Sequence, residues 1–158
     1  MVIGIDLATM KGQTCLCKLQ KEPTVCEINT IDSIVEFVKE AKSEIVAMDA
    51  PLRFPNGNIR GEEEGLYKLG ISVFPPQMPG MKKLTERAIK LKEKLNEISL
   101  VEVYPHATKK ILGLELSKND INDAYVCALT GLLHLKNFTK VLGKRLVIPS
   151  PRIFDKSC

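Results

Sequence analysis

The chain has 158 residues, a hydrophobic content of 44%, a charged content of 27% and a formal net charge of +4. These values are typical of an ordinary soluble globular protein, so we expect one domain over residues 1–158. The sequence has neither an apolar run of membrane-spanning length nor a secretory signal, which argues against a membrane partner and predicts a cytoplasmic protein.

The cysteines argue against a structural zinc site. There are five of them, they form no C-x-x-C pair, and the chain has only two histidines. Cys15 and Cys17 would share one face of a strand, where we expect buried thiols. The positive net charge is a weak indication of an anionic partner, because many proteins without such a partner are as basic.

The first predicted strand, residues 2–8, carries an acidic residue near its end. Its apolar residues alternate between two faces, which is the pattern of a strand. Asp6 would be costly in this position unless it is paired or bound to a metal. A cap for the following turn, at residues 9–12, is an equally good interpretation of Asp6 alone.

Two further strands and a helix lead to a second acidic strand end. Residues 13–20 and 24–28 alternate in the same way, and the short connections predict an antiparallel meander. A helix through about Lys42 then leads to a strand at residues 44–48. A right-handed crossover would make this fourth strand parallel to a neighbour. The strand ends at Asp49.

Asp6 and Asp49 are therefore both predicted at the carboxyl ends of strands. If the two strands are adjacent, they lie about 4.8 Å apart. Carboxylates at such a distance repel each other unless a cation lies between them. The pair is thus a candidate cation site.

An insertion at about residues 50–98 separates the fourth and fifth strands. Its first part is irregular and is a candidate for substrate contact. Arg53 and Arg60 are the groups there best suited to phosphate, although each is at least as compatible with an ordinary surface role. A helix over residues 81–98 has a basic face, which we interpret as solvated because glutamates interrupt it. Lys11, after the first strand, is a further candidate for binding.

The fifth predicted strand, residues 99–104, adds two second-rank candidates near the same edge. Glu102 lies on the strand, and His106 follows it. The carboxylate is a candidate ligand, and the imidazole is a candidate for substrate contact. A lone histidine after a strand is more often a hydrogen-bonded structural residue.

A late helix that starts near Asn119 carries two aspartates in its first turn. Asp120 and Asp123 are three residues apart and so point to one side of the helix. Behind them lies a stripe of small residues: Ala124, Ala128 and Gly131. Such a stripe lets the helix lie close to a sheet, with Asp123 toward the other carboxylates. For Asp120 alone, a carboxylate that only complements the helix dipole is the better interpretation. Residues 143–153 follow as a turn and a terminal extended segment.

Five segments together resemble the domain-of-unknown-function 429 family of predicted RNase H-like nucleases. They are VIGIDLA (2–8), VAMDAPL (46–52), residues 60–70, VEVYPHAT (101–108) and NDINDAYVCALTG (119–131). The resemblance implies an α/β fold of RNase H-like type. Its mixed five-stranded sheet would have three antiparallel strands followed by parallel ones, with helices on its faces. The late D-x-x-D-A element is also similar to that of Holliday-junction resolvases of the same fold.

The resemblance implies a nuclease that hydrolyses phosphodiester bonds of nucleic acid. It implies Asp6, Asp49 and Asp123 as catalytic residues and metal ligands, with Glu102 and Asp120 as secondary candidates. Carboxylate and water ligands suit Mg²⁺ or Mn²⁺, and a two-metal mechanism would use two such ions about 4 Å apart. The candidates for substrate binding are Lys11, Arg53, Arg60 and His106.

Two alternatives stay open. The first is a non-catalytic module of RNase H-like fold that binds nucleic acid or a protein. The second is an actin-like ATPase-type domain, which normally has a Gly-rich phosphate turn after its first acidic strand, whereas residues 7–11 contain no glycine. Aromatic residues make up only 5% of the chain and tryptophan is absent, so the sequence shows no aromatic-rich motif for base stacking.

Overall fold

The structure is a computed structural model that describes residues 1–9 and 11–150. Met10, in the predicted turn at residues 9–12, lies outside the described residues. The same holds for residues 151–153 of the predicted terminal segment. Among the described residues, no helix has the length and apolar character that crossing a membrane requires.

A seven-stranded mixed sheet forms the centre of the fold, in the order β3-β2-β1-β4-β5-β7-β6. Its strands are β1 Val2–Asp6, β2 Cys15–Leu19, β3 Pro23–Glu27, β4 Ile45–Asp49, β5 Ser99–Val103, β6 Thr139–Leu142 and β7 Leu146–Pro149. The first three strands are antiparallel, and β4 and β5 then run parallel to β1, as predicted.

The predicted count of five strands was wrong by two. β7 pairs with β5 in parallel, and β6 pairs with β7 as an antiparallel hairpin at the edge of the sheet. Each of these strands has only four residues, and the middle of β6 is exposed. β6 is short and exposed and so shows little of the apolar alternation from which strands are predicted. β7 is buried and lies within the terminal segment that was predicted as extended.

The part of the chain that the structure describes also forms five helices: α1 Ile31–Glu40, α2 Gly61–Lys68, α3 Pro79–Lys94, α4 Pro105–Leu112 and α5 Asp120–Leu135. The side chain of Thr30 caps α1 by accepting a hydrogen bond from the Ser33 N–H. Proline occupies the first turn of α3 and of α4, where its missing N–H costs nothing. Both α2 and α3 lie in the connection between β4 and β5, where the sequence predicts an insertion.

The two faces of the sheet bury different side chains. Ile3 and Ile5 of β1 pack with residues of α1 and α3 in one apolar cluster. Val2, on the other face of β1, packs with Ala124 and Ala128 of α5. Because side chains alternate along a strand, Asp6 belongs to the face that α5 covers. The alternation of β4 gives Asp49 the same face.

Candidate metal centre

Asp6 and Asp49 end two neighbouring strands at the same level. They are register partners in the parallel pair of β1 and β4. Both side chains keep intermediate exposure, since they border an open groove of about 930 Å³. Burial raises the pKa of Asp49 well above its ordinary value, and Asp6 and Asp123 raise it further.

Helix α5 brings a third carboxylate to this pair. A Cβ at Gly4 would overlap the backbone of Ala124 and Ala128, so the helix lies directly against β1. Asp123 is the residue before Ala124 and therefore borders the same groove as Asp6. The pKa of Asp6 rises from its ordinary 3.8 to about 7, first through burial and then through the charges of Asp123 and Asp120.

The cap of α5 leaves both of its aspartates available to the groove. Asn119 accepts a hydrogen bond from the Asn122 N–H through its side-chain oxygen, so neither aspartate is needed as the N-cap. Asp120 is exposed and also borders the groove. The structure therefore places Asp120 at the rim and Asp123 further in.

Lys109 of α4 is a charged residue of the site that was not predicted. Its Nζ donates to Oδ1 of Asp123 at 2.6 Å, and the two side chains are only 13% and 16% exposed. Its positive charge opposes the rise in the pKa of Asp6 and Asp49. A lysine in the last turn of a short helix gives no sequence signal of its own, because the contact depends on how α4 and α5 pack.

Glu102 is not free to bind a cation as it stands. The residue is 3% exposed, and both of its carboxylate oxygens accept hydrogen bonds from Arg60, at 2.6 and 2.9 Å. The Leu52 N–H donates to it as well, at 2.9 Å. Burial raises the pKa of Glu102, and Arg60 opposes that rise. In this arrangement Glu102 fixes the segment that follows Asp49.

Arg53 and Arg60, the two arginines predicted as candidates for phosphate contact, both bind carboxylates of α2. Arg60 is 3% exposed and also donates to Glu63. Arg53 donates to both oxygens of the buried Glu62, at 3.0 and 2.7 Å. Arg60 thus binds carboxylates of α2 and β5, and Arg53 binds one of α2, for the physical reason that buried carboxylates need a partner.

The other two predicted substrate contacts differ in position. His106 is exposed and borders the groove, with its ring 5.8 Å from that of Tyr104. Lys11 is exposed in the turn after β1 and is not among the described residues that border the groove.

Carboxylate oxygens suit a hard divalent cation, although the three aspartates are not arranged around a single cation position in this structure. Within residues 1–9 and 11–150, no three His, Cys, Asp or Glu side chains are placed so that they could hold a metal ion. Asp6, Asp49 and Asp123 nevertheless border one groove, and a cation there would relieve the repulsion that adds to the effect of burial on the pKa values of Asp6 and Asp49. These three residues are therefore the candidate ligands for Mg²⁺ or Mn²⁺.

Comparison with known proteins identifies the fold. No family model and no curated protein matches the chain. The solved structure of T. thermophilus RuvC in complex with a Holliday junction substrate matches with a TM-score of 0.51 at 13% identity, over 86% of this chain and 95% of that chain. A second Thermus thermophilus RuvC structure matches at 12% identity with a TM-score of 0.45, over 86% of this chain and 96% of that chain.

RuvC has an RNase H-like fold, so the first match confirms the predicted fold class. At 13% identity the likeness concerns the fold alone. The narrower resemblance to the domain-of-unknown-function 429 family is not confirmed by these comparisons and stays an interpretation of the five sequence segments.

Proposed function

We propose that the protein is a metal-dependent nuclease that hydrolyses phosphodiester bonds of nucleic acid. The observation that carries this proposal is the meeting of Asp6, Asp49 and Asp123 at one open groove. The groove is open and has a volume of about 930 Å³. The fold is shared with T. thermophilus RuvC, whose structure contains a Holliday junction substrate, and this adds support.

The chemistry follows from the donor set. Asp6, Asp49 and Asp123 would bind Mg²⁺ or Mn²⁺ as in a two-metal carboxylate mechanism. When bound, such ions polarise a phosphate and lower the pKa of a water molecule. The chain's own contribution is to fix the carboxylates on rigid elements, two strand ends and one helix, and to surround them with cations that favour a phosphate backbone.

The cations of the groove come from α4 and from the segment before α5. Lys109, Lys110 and Lys118 all border it, together with His106. A backbone phosphate that approaches the carboxylates would pass these side chains, and such contacts supply affinity without reading sequence. Nucleic acid is therefore the partner that we assign.

A second function, a non-catalytic nucleic-acid-binding module, is favoured by one observation. Lys109 already neutralises Asp123, as an internal cation in place of a metal. With Asp6 half protonated at about pH 7, the groove would carry less negative charge than three free carboxylates imply. Such a groove would bind the phosphates of a nucleic acid without hydrolysing its phosphodiester bonds.

A cleavage panel tests the proposal. Wild-type protein is incubated with single-stranded, duplex, hybrid and branched nucleic acids, each with Mg²⁺ or Mn²⁺. The matched variants are Asp6→Asn and Asp32→Asn, the latter an identical change at an exposed residue paired with Lys94. We expect cleavage by wild type and Asp32→Asn and its loss in Asp6→Asn. Binding without cleavage of any substrate would favour the non-catalytic module, and equal cleavage by Asp6→Asn would reject the site.

A further inference from the structure

Phe74 is an exposed aromatic residue beside the carboxylates. It is 66% exposed, more than any other large apolar side chain that the structure describes. It borders the groove described above and also a smaller cavity of about 250 Å³. Asp6 and Asp49 border both cavities as well. Phe74 therefore lines the same two cavities as Asp6 and Asp49.

Hydrogen bonds fix the backbone just before Phe74. The Tyr104 hydroxyl donates to the Ser72 carbonyl at 3.1 Å, and the Tyr67 hydroxyl donates to the Val73 carbonyl at 2.9 Å. Both tyrosines lie on helix or strand-end positions outside this segment. Two consecutive backbone carbonyls thus accept hydrogen bonds from tyrosine hydroxyls, and these bonds hold the segment before Phe74 in position at the groove.

Packing explains why the ring points outward. Ile71 is buried in an apolar cluster, and Val73 packs against that cluster. Ser72 and Phe74 alternate with these two residues along the chain and are exposed. Pro75 then restricts Phe74 to an extended conformation. The buried neighbours and the following proline therefore determine that the ring of Phe74 is exposed.

The same groove combines this ring with positive charge. Lys109, Lys110 and Lys118 border it on the side of α4 and α5. A cationic groove that also presents an aromatic face is the combination by which proteins hold single-stranded nucleic acid, with phosphates on the cations and bases on the ring.

We infer that Phe74 is a stacking position for an unpaired nucleobase next to the carboxylates. The inference rests on the proposed function, because it assumes a nucleic-acid strand in the groove. Only an unpaired or unstacked base offers a free face to the ring, so the position selects strands with single-stranded character near the bond to be cut. The chemistry of the base face is common to DNA and RNA, and both are tested.

The absence of tryptophan from the sequence makes a direct optical test feasible. Phe74→Trp introduces a single indole at the proposed position. Phe138→Trp is the matched control, since Phe138 is 44% exposed but follows the opposite end of α5 from Asp123. Both variants also carry Asp6→Asn so that the oligonucleotide is not cut. The probes are a short single-stranded DNA, the same sequence as RNA, and an abasic strand of equal length.

Stacking predicts quenching of the indole fluorescence in Phe74→Trp by a strand that carries bases, and no quenching by the abasic strand or in Phe138→Trp. Quenching by only one of DNA and RNA would identify the substrate. In parallel, Phe74→Ala should weaken binding by about 5-fold or more, whereas Phe138→Ala should leave it unchanged.

Two results would overturn the inference, and they are distinguishable. If the labelled strand binds Phe74→Trp by fluorescence anisotropy but does not quench the indole, the stacking position is wrong while the proposed function stands. If no strand binds and wild type cleaves none, the proposed function fails and the inference fails with it.

Discussion

Asp6 and Asp49 are register partners at the ends of two adjacent parallel strands, and both face helix α5. Burial raises the pKa of each carboxyl, and the charge of Asp123 on α5 adds to the rise in both. The arrangement is unfavourable for three ionised carboxylates in the absence of a cation. Such a cost at the mouth of a groove is typical of a functional site.

The pH dependence of stability should show this cost. The pKa of Asp6 is 3.8 ordinarily and about 7 in the folded protein, so between these values the folded state binds the proton that the unfolded state has lost. In metal-free buffer, stability should therefore fall as pH rises from about 4 through about 7. Asp49 acts in the same direction.

Urea unfolding across this pH range measures the effect. Asp6→Asn cannot ionise, so its stability should fall less steeply with pH than that of wild type, and the variant should be relatively most stable above about pH 7. Identical slopes for the two proteins would show that Asp6 is not held among buried and negatively charged neighbours.

Lys109→Met should make the carboxylates more dependent on metal. The change removes a charge-assisted hydrogen bond to Asp123 and should cost on the order of 1–3 kcal/mol in metal-free buffer. Mn²⁺ should then raise the melting temperature of the variant more than that of wild type, because it replaces the lost cation. Lys110→Met is the control, since Lys110 donates to the exposed Gly70 carbonyl and to no carboxylate among the described residues. Equal Mn²⁺ responses in both variants would contradict the role of Lys109.

Gly4→Ala should disrupt the contact between β1 and α5. The added Cβ would overlap the backbone of Ala124 and Ala128, which cannot move aside without displacing the helix. We expect a loss of about 3 kcal/mol or more in the free energy of unfolding. At Gly80, in α3, an added Cβ meets nothing within 4 Å, and Gly80→Ala should change stability by no more than about 1 kcal/mol. Similar unfolding midpoints for the two variants would exclude the close approach of α5.

Arg60→Met should destabilise the insertion strongly. It leaves two buried carboxylates, Glu63 and Glu102, without their ion-pair partner, which typically costs about 3–5 kcal/mol. Lys68→Met removes an exposed pair with Glu64 on the same helix and should change stability little. Chemical unfolding compares the two variants. A small change in the free energy of unfolding of Arg60→Met would mean that the buried Glu102 carboxylate does not need Arg60 as its ion-pair partner.

The central strands and the late helix could be predicted from the sequence because their signals are local. Local patterns predicted β1 and β4 with Asp6 and Asp49 at their ends. The helical crossover predicted that β4 runs parallel to a neighbour, and the structure shows that this neighbour is β1. The small residues Ala124 and Ala128 predicted that α5 lies against the sheet, which the structure shows.

The contacts of the charged side chains could not be predicted in this way. Arg60 and Glu102 are 42 residues apart, and no local pattern connects them. An arginine that reaches a buried glutamate has the same sequence appearance as one that reaches a phosphate. Lys109 was missed for a related reason, since its contact with Asp123 exists only when α4 packs beside α5.

The central claim is that Asp6, Asp49 and Asp123 form one divalent-cation site, and calorimetric titration with Mn²⁺ tests it most directly. Wild type and the exposed control Asp32→Asn should bind Mn²⁺ with equal affinity. Asp6→Asn should bind at least about tenfold more weakly, a difference of about 1.4 kcal/mol. Binding of Mn²⁺ to Asp6→Asn as tightly as to wild type would contradict the claim.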